Sequence, residues 1–89
     1  NEVFYTLYGH LALESIRNLE IGNLFKKGQA LATLGKPIEN GDYAPHLHFQ
    51  IIKKIGDYIG DYPGVCSQSN LDFYTENCPD PNLLLKIKI

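Results

Sequence analysis

The stretch that decides the fold is Pro45-His46-Leu47-His48-Phe49-Gln50. Side chains of an extended strand alternate between its two faces, so His46 and His48 are predicted to point one way while Leu47 and Phe49 point the other. Imidazole is the commonest transition-metal ligand in proteins, and its charge changes near neutral pH. Two histidines on one face can therefore divide metal binding and proton transfer between them. The alternative is a half-exposed strand that carries two histidines as ordinary polar residues.

Composition restricts the partners of this chain. Its 89 residues form at most one small domain. Eight basic and ten acidic residues give a formal net charge of −2, which offers no positive field for nucleic acid. No apolar run approaches the ~20 residues that a membrane span needs. Neither nucleic acid nor a membrane is therefore predicted as a partner.

The two cysteines leave the redox compartment open. Cys66 and Cys78 are separated by eleven residues. Either a disulfide that closes this segment or two free thiols would fit. The spacing lacks the short Cys-x-x-Cys clip of a structural zinc site, so no metal is expected at these residues.

The pattern along the chain predicts a mostly β, antiparallel domain with long loops and one or two short helical turns. Tight reversals are expected at Gly28 and at Asn40-Gly41. β-branched and aromatic composition predicts strands over residues 3–11, 30–34 and 46–53 and an edge strand over residues 85–89.

Helical segments are predicted at three places. Residues 13–19 fit either a helical turn or a short loop, and residues 70–77 fit one helical turn. Asp80-Pro81 is typical of a helix start, with Asp80 or a neighbour as N-cap and Pro81 at the first helical position. Residues 3–54 are interpreted as the core and residues 55–89 as a loop-rich tail of a single domain.

Several short motifs together resemble the lysostaphin/LytM family of zinc metallopeptidases, in the same order and at similar spacing over about residues 3–52. The motifs are Tyr8-Gly9-His10-Leu11, Ile21-Gly22 through Lys27-Gly28-Gln29, Thr33-Leu34-Gly35 and Pro45-His46-Leu47-His48-Phe49. The resemblance implies a small antiparallel β domain, a partial barrel-like sandwich, that hydrolyses peptides of bacterial peptidoglycan.

The resemblance also assigns roles to the three histidines. His48, the second histidine of the His-x-His motif, is similar to a zinc ligand of the family. His46 and His10 are similar to the catalytic histidines beside the metal-bound water. Zinc with three protein ligands lowers the pKa of its water to about 7, and a nearby imidazole can take the proton and return it to the leaving amine.

One part of the family pattern is missing. The other two zinc ligands of the family come from an upstream His-x-x-x-Asp motif, which these 89 residues do not contain. The chain begins at Asn1 without a methionine and its first residues already have strand composition, so it is interpreted as the C-terminal part of a longer metallopeptidase-like module. A degenerate, non-catalytic relative is the competing explanation. Zinc is expected in the intact domain, and the chain alone is expected to be inactive.

The tail suggests a second setting. Residues 60–66 and 78–84, together with Gln50 where the family often has glutamate, resemble a divergent branch. That branch lies within multidomain proteins, between a kinase-like phosphotransferase domain and a class III aminotransferase domain. This resemblance implies a cytoplasmic binding or scaffold module, whereas a secreted peptidase would work in the cell envelope or outside the cell.

Two further alternatives concern the scaffold. Residues 21–35 also resemble the hairpin of biotinyl or lipoyl carrier domains, although Lys26 and Lys27 precede Gly28 instead of standing at a hairpin tip and the chain has no methionine. An exposed strand edge predicts a homodimer as a further partner.

Overall fold

The computed structural model describes residues 3–88 and divides the chain into two units. The sheet unit comprises the described parts of Asn1–Gly9 and His48–Ile89, and the loop unit comprises His10–Leu47. The regular elements, in chain order, are β1 (Tyr5–Gly9), α1 (Leu13–Ile16), α2 (Pro37–Asn40), β2 (His48–Ile52), a 3-10 turn (Gln68–Asn70), α3 (Leu71–Asn77) and α4 (Asn82–Leu85).

The sheet consists of β1 and β2, which pair antiparallel. Tyr5 lies opposite Ile52 and Gly9 lies opposite His48, so β1 ends where β2 begins. The rings of Tyr8 and Phe49 meet edge to face across the ladder, with centroids 5.2 Å apart. An antiparallel sheet with a few short helices is therefore confirmed, and both strands are shorter than the sequence predicted.

The core of the sheet unit is small. Among residues 3–88, the buried apolar side chains are Ile51, Ile52 and Tyr62. Neighbouring strand residues point to opposite faces, so burial of both Ile51 and Ile52 means that both faces of β2 are covered near its end. Burying a side chain of this size contributes about 1.5–3 kcal/mol.

Asn77 joins the end of α3 to the segment that follows β2. Its Oδ1 accepts from the Lys54 N–H (2.9 Å), and its Nδ2 donates to the Lys54 carbonyl (2.9 Å) and to the Tyr62 hydroxyl (2.7 Å). Its own carbonyl accepts from the Lys53 N–H (2.8 Å). Asn77 is only 5 % exposed, so these bonds hold the edge of the core without help from bulk water.

The loop unit is held by backbone and capping hydrogen bonds. Pro37 starts α2, and Gly41 ends it in the left-handed conformation (φ 89°). The Glu39 carboxylate accepts from the Lys36 N–H (3.3 Å) and from the Leu13 N–H (3.2 Å), so one side chain ties the starts of α1 and α2 together. Helix α1 confirms the helical alternative for the segment after residue 12. Helix α2 was not predicted.

The strand predicted over residues 30–34 is wrong, because side-chain bonding replaces the strand ladder there. The Thr33 N–H donates to the Ser15 hydroxyl (3.0 Å), and the Thr33 carbonyl accepts from the Ala12 N–H (2.8 Å). Only an isolated bridge between Leu34 and Leu11 forms.

The edge strand predicted over residues 85–89 is also wrong in its described part. Helix α4 includes Leu85, and Lys86 ends it in the left-handed conformation (φ 53°). The Asn82 side chain then accepts from the Ile87 N–H (2.7 Å) and donates to the Ile87 carbonyl (3.0 Å), which satisfies the groups that a neighbouring strand would use. Residue 89 lies outside the described residues.

None of the helices in residues 3–88 has the length and apolarity required to cross a membrane.

Candidate functional site

His10 follows β1 and has an unusual backbone conformation. Its φ is 63°, in the left-handed region that non-glycine residues rarely adopt and that costs about 1–3 kcal/mol. The His10 carbonyl accepts from the Gly35 N–H (2.8 Å). A Cβ at position 35 would lie 3.0 Å from that carbonyl oxygen, so glycine is needed for this close approach.

His46 is held by a hydrogen bond that fixes the tautomer of its ring. Nδ1 lies 2.7 Å from the Ala44 carbonyl oxygen. A carbonyl can only accept, so Nδ1 carries the hydrogen and donates it. In the neutral ring the lone pair is then on Nε2, the nitrogen that can accept a proton or bind a metal. The imidazole of His46 is exposed, so a ligand can reach it.

The loop unit brings His10 and His46 together. Their ring centroids are 4.5 Å apart, with 39° between the ring planes. Tyr43 completes the cluster, with its ring centroid 6.3 Å from that of His10 and 6.0 Å from that of His46. Two of the three predicted site residues therefore form one pair, although 35 residues of sequence separate them.

His48 opens β2 in the sheet unit and bonds to a residue on the same strand face. Its Nε2 lies 2.8 Å from Gln50 Oε1. The Gln50 amide orientation follows from its other bond, because Nε2 of Gln50 donates to the Pro63 carbonyl (3.1 Å) and Oε1 must then face His48. The His48 Nε2 therefore donates, and the lone pair of the neutral ring is on Nδ1.

The prediction that strand alternation points His46 and His48 the same way is wrong in its premise. Strand β2 begins at His48, so His46 precedes it and belongs to the loop unit. Strand alternation therefore places His48 and Gln50 on the same face of β2, and it does not apply to His46. The convergence of all three imidazoles stays a prediction.

A complete zinc site requires donors that these residues do not supply together. Nowhere in residues 3–88 do three or more His, Cys, Asp or Glu side chains form a group that could hold a metal ion. His48 does have one property of a metal ligand, namely a second ring nitrogen oriented by a neighbouring polar group. The residues present fit one ligand of a zinc centre and not the whole centre.

Gln50 and the segment around Gly64 are site residues that sequence reasoning missed. The His-x-Gln spacing placed Gln50 on the face of His48, which was the available signal. Gly64 could not be predicted from the sequence, because only the folded chain shows that the absence of a side chain there leaves room for the His48 ring. A Cβ at position 64 would lie 2.7 Å from His48 Cε1.

Gly64→Ala is therefore expected to displace the His48 imidazole and break its bond to Gln50. The side-chain signals of both residues should shift in a two-dimensional NMR spectrum. Gly60→Ala is the control, because it adds a methyl group to the same loop with nothing within 4 Å of the added Cβ and strains the backbone at a positive φ (70°), which Gly64→Ala does not. Equal shifts at His48 in both variants would show that a general disturbance of the loop, not the ring contact, is responsible.

Comparison with known proteins adds no relative. No protein-family model, curated protein or solved structure matches the chain.

Proposed function

We propose that this chain is the C-terminal portion of a zinc metallopeptidase module of the lysostaphin/LytM type, which hydrolyses peptide bonds with an activated water. The observation that carries the proposal is the pairing of His10 and His46, with ring centroids 4.5 Å apart. A general base needs a lone pair that faces the reacting proton and a ring that is held in place. The bond from His46 Nδ1 to Ala44 holds the ring and leaves the lone pair of the neutral imidazole on Nε2.

Each histidine has a separate role in this proposal. His46 accepts a proton at Nε2, the only ring nitrogen left with a lone pair, and later returns it to the leaving amine. His10 lies beside it and donates or accepts a hydrogen bond at the same reacting group. His48 contributes one zinc ligand through Nδ1, and the remaining ligands come from outside these 89 residues. Zinc bound to a full ligand set would supply the acidic water and polarise the scissile carbonyl.

The fold proposed for the intact module is a larger antiparallel sheet, the partial barrel-like sandwich of the family. A two-stranded ribbon is marginally stable by itself in water. Large apolar side chains on both faces of β1 support packing against further elements of such a sheet, since Tyr5 is 42 % and Tyr8 is 43 % exposed. In one arrangement, the neighbouring strands would belong to the same polypeptide. In the other arrangement, a homodimer through the β1 edge would cover these side chains.

A non-catalytic binding or scaffold module is the second candidate, and Gln50 favours it. A carboxylate that accepts a hydrogen bond from a metal-ligating histidine raises the basicity of that histidine. The neutral amide of Gln50 occupies this place here, so His48 would be a weaker zinc ligand. Such a module would keep the affinity for peptides or a neighbouring domain without cleaving a bond.

Hydrolysis of purified peptidoglycan separates the two candidates. The polypeptide tested carries this chain together with about one hundred preceding residues, the length in which missing strands of a domain of ordinary size would lie. Release of new amino termini, stopped by His46→Ala and by His48→Ala, is expected for the peptidase. Sedimentation with peptidoglycan or with a partner domain, without release of amino termini from either the wild type or the variants, would identify the binding module instead.

A further inference from the structure

A pocket of about 200 Å³ in the sheet unit contains both cysteines of the chain. Gln50 and Pro63 line it on the strand side, and Leu71, Tyr74 and Thr75 line it on the side of α3. Cys66 and Cys78 complete the wall, and both are free thiols. The proposed hydrolytic function uses neither of them.

We propose that Cys66 and Cys78 form a reversible dithiol–disulfide pair across this pocket, with a low-molecular-weight disulfide such as oxidised glutathione as the oxidant. The proposal is independent of zinc and of peptide hydrolysis. It resolves the alternative that sequence spacing left open, because the same two residues are thiols in one state and a disulfide in the other.

The hydrogen bonds around the pocket support the pairing. The Gln50 amide nitrogen donates to the Pro63 carbonyl (3.1 Å) and contacts the Cys78 sulfur (3.9 Å), so it connects the segment that leads to Cys66 with Cys78. The Cys78 N–H donates to the Tyr74 carbonyl (2.8 Å), which fixes this residue at the end of α3. Tyr74 itself lines the same pocket as Cys66.

The electrostatics of Cys78 agree with this placement. Burial raises the pKa of the Cys78 thiol, the hydrogen bond from Gln50 opposes the rise, and the negative charge of the Cys66 thiolate adds to it. A Coulomb interaction weakens with distance, and this effect agrees with two thiols that line the same pocket.

The exposure of the two cysteines determines the order in which they react. Cys66 is exposed and Cys78 is half-buried, so oxidised glutathione meets Cys66 first. The Cys66 thiolate attacks one glutathione sulfur, a mixed disulfide forms and one glutathione thiolate leaves. The Cys78 thiolate then attacks the Cys66 sulfur and expels the second glutathione. The two protons released by the protein thiols protonate the two glutathione thiolates, so two thiols are oxidised and one oxidised glutathione becomes two reduced molecules.

Disulfide formation would also remove a partner from Gln50. The bond draws the Cys78 sulfur toward Cys66, because the two sulfurs of a disulfide lie only about 2.0 Å apart. Gln50 then loses its contact with the thiol and rearranges beside His48. Oxidation is therefore expected to shift the NMR signals of the Gln50 amide and the His48 ring.

Mass spectrometry of the full chain in glutathione buffers tests the proposal. The wild type is expected to lose two hydrogens and to carry no glutathione, with the cross-link mapped to the peptides around Cys66 and Cys78. Cys78→Ser is expected to stop at the mixed disulfide and to keep one glutathione on Cys66. Reduction with excess dithiol should reverse both changes.

A denatured sample shows whether the folded pocket is what favours the internal disulfide over the glutathione adduct. In concentrated urea, the ratio of internal disulfide to glutathione adduct should fall by at least about tenfold, because the fold no longer holds the two sulfurs near each other. An unchanged ratio would overturn the proposal, and so would a native chain with glutathione on both cysteines and no internal bond. Cross-links that join two chains instead of one would equally overturn it.

Discussion

Replacing His46 with alanine is expected to lower the rate of peptide hydrolysis by about 10²–10⁴-fold, the usual contribution of a general acid–base group. The variant is made in the polypeptide extended before Asn1, where the complete module is proposed to form. His46 Nε2 holds the lone pair because Nδ1 is engaged with the Ala44 carbonyl (2.7 Å), and alanine removes that base. Single-turnover rates on a peptidoglycan peptide measure the loss.

His46→Asn is the matched control for this experiment. The asparagine side-chain amide can still donate to the Ala44 carbonyl, so the loop keeps its anchor, but no ring nitrogen is left to accept a proton. We expect His46→Asn to be as inactive as His46→Ala. Recovery of activity in the asparagine variant would mean that His46 only positions the loop and that the catalytic base is elsewhere.

Asn77→Ala is expected to lower the free energy of unfolding by about 2–4 kcal/mol. The substitution leaves the N–H and carbonyl of Lys54 and the hydroxyl of Tyr62 without their partners at a nearly buried position. The buried Tyr62 hydroxyl costs about 1–3 kcal/mol when it loses its partner, and the backbone groups of Lys54 add less because this residue is exposed and water can partly replace the lost bonds. Urea denaturation followed by circular dichroism measures the change. Because the buried core is small, a loss of this size is expected to leave a large fraction of the chain unfolded.

Tyr62→Phe isolates one bond of this network. It removes the hydroxyl that accepts from Asn77 Nδ2 and keeps the buried ring, so a loss of about 1 kcal/mol is expected. If Asn77→Ala cost no more than Tyr62→Phe, the two bonds between Asn77 and Lys54 would contribute nothing. The description of Asn77 as the link between α3 and the end of β2 would then be wrong.

Local composition was sufficient to predict the sheet. β1 and β2 are rich in aromatic and β-branched residues, and the buried Ile51 and Ile52 hold β2 in place. The turn at Gly28 was also predicted from the sequence, since Gly28 has the expected positive φ (82°). At the predicted Asn40-Gly41 reversal, Asn40 instead ends helix α2 and Gly41 (φ 89°) is its C-cap. These features depend on the residues of the element itself.

The errors arose where a distant side chain replaced a backbone partner. Ser15 bonds to Thr33 and so prevents a strand at residues 30–34, and Asn82 bonds to Ile87 beyond α4. An alternating pattern cannot reveal such bonds, because they depend on tertiary placement. Helix α4 begins one residue later than predicted, and its N-cap is a neighbour of Asp80, as one of the two alternatives had it. Pro81 stands at the N-cap, and the Asp80 carboxylate accepts from the Asn82 N–H (2.9 Å).

The candidate site was predicted in part. The family resemblance selected His10 and His46, and the loop unit brings their rings together. Strand alternation was applied to His46 and His48 on the assumption that the strand began at residue 46, whereas β2 begins at His48. Gln50, two residues after His48, is the partner that the actual start of β2 provides.

Zinc content of the extended polypeptide tests the central claim most directly. Elemental analysis after dialysis is expected to give one zinc ion per wild-type polypeptide and none for His48→Ala, because His48 is proposed as a ligand. His10→Ala is expected to keep its zinc, because His10 is assigned to the reacting group and not to the metal. A wild type without zinc, or a His48→Ala variant that keeps its full complement, would contradict the account.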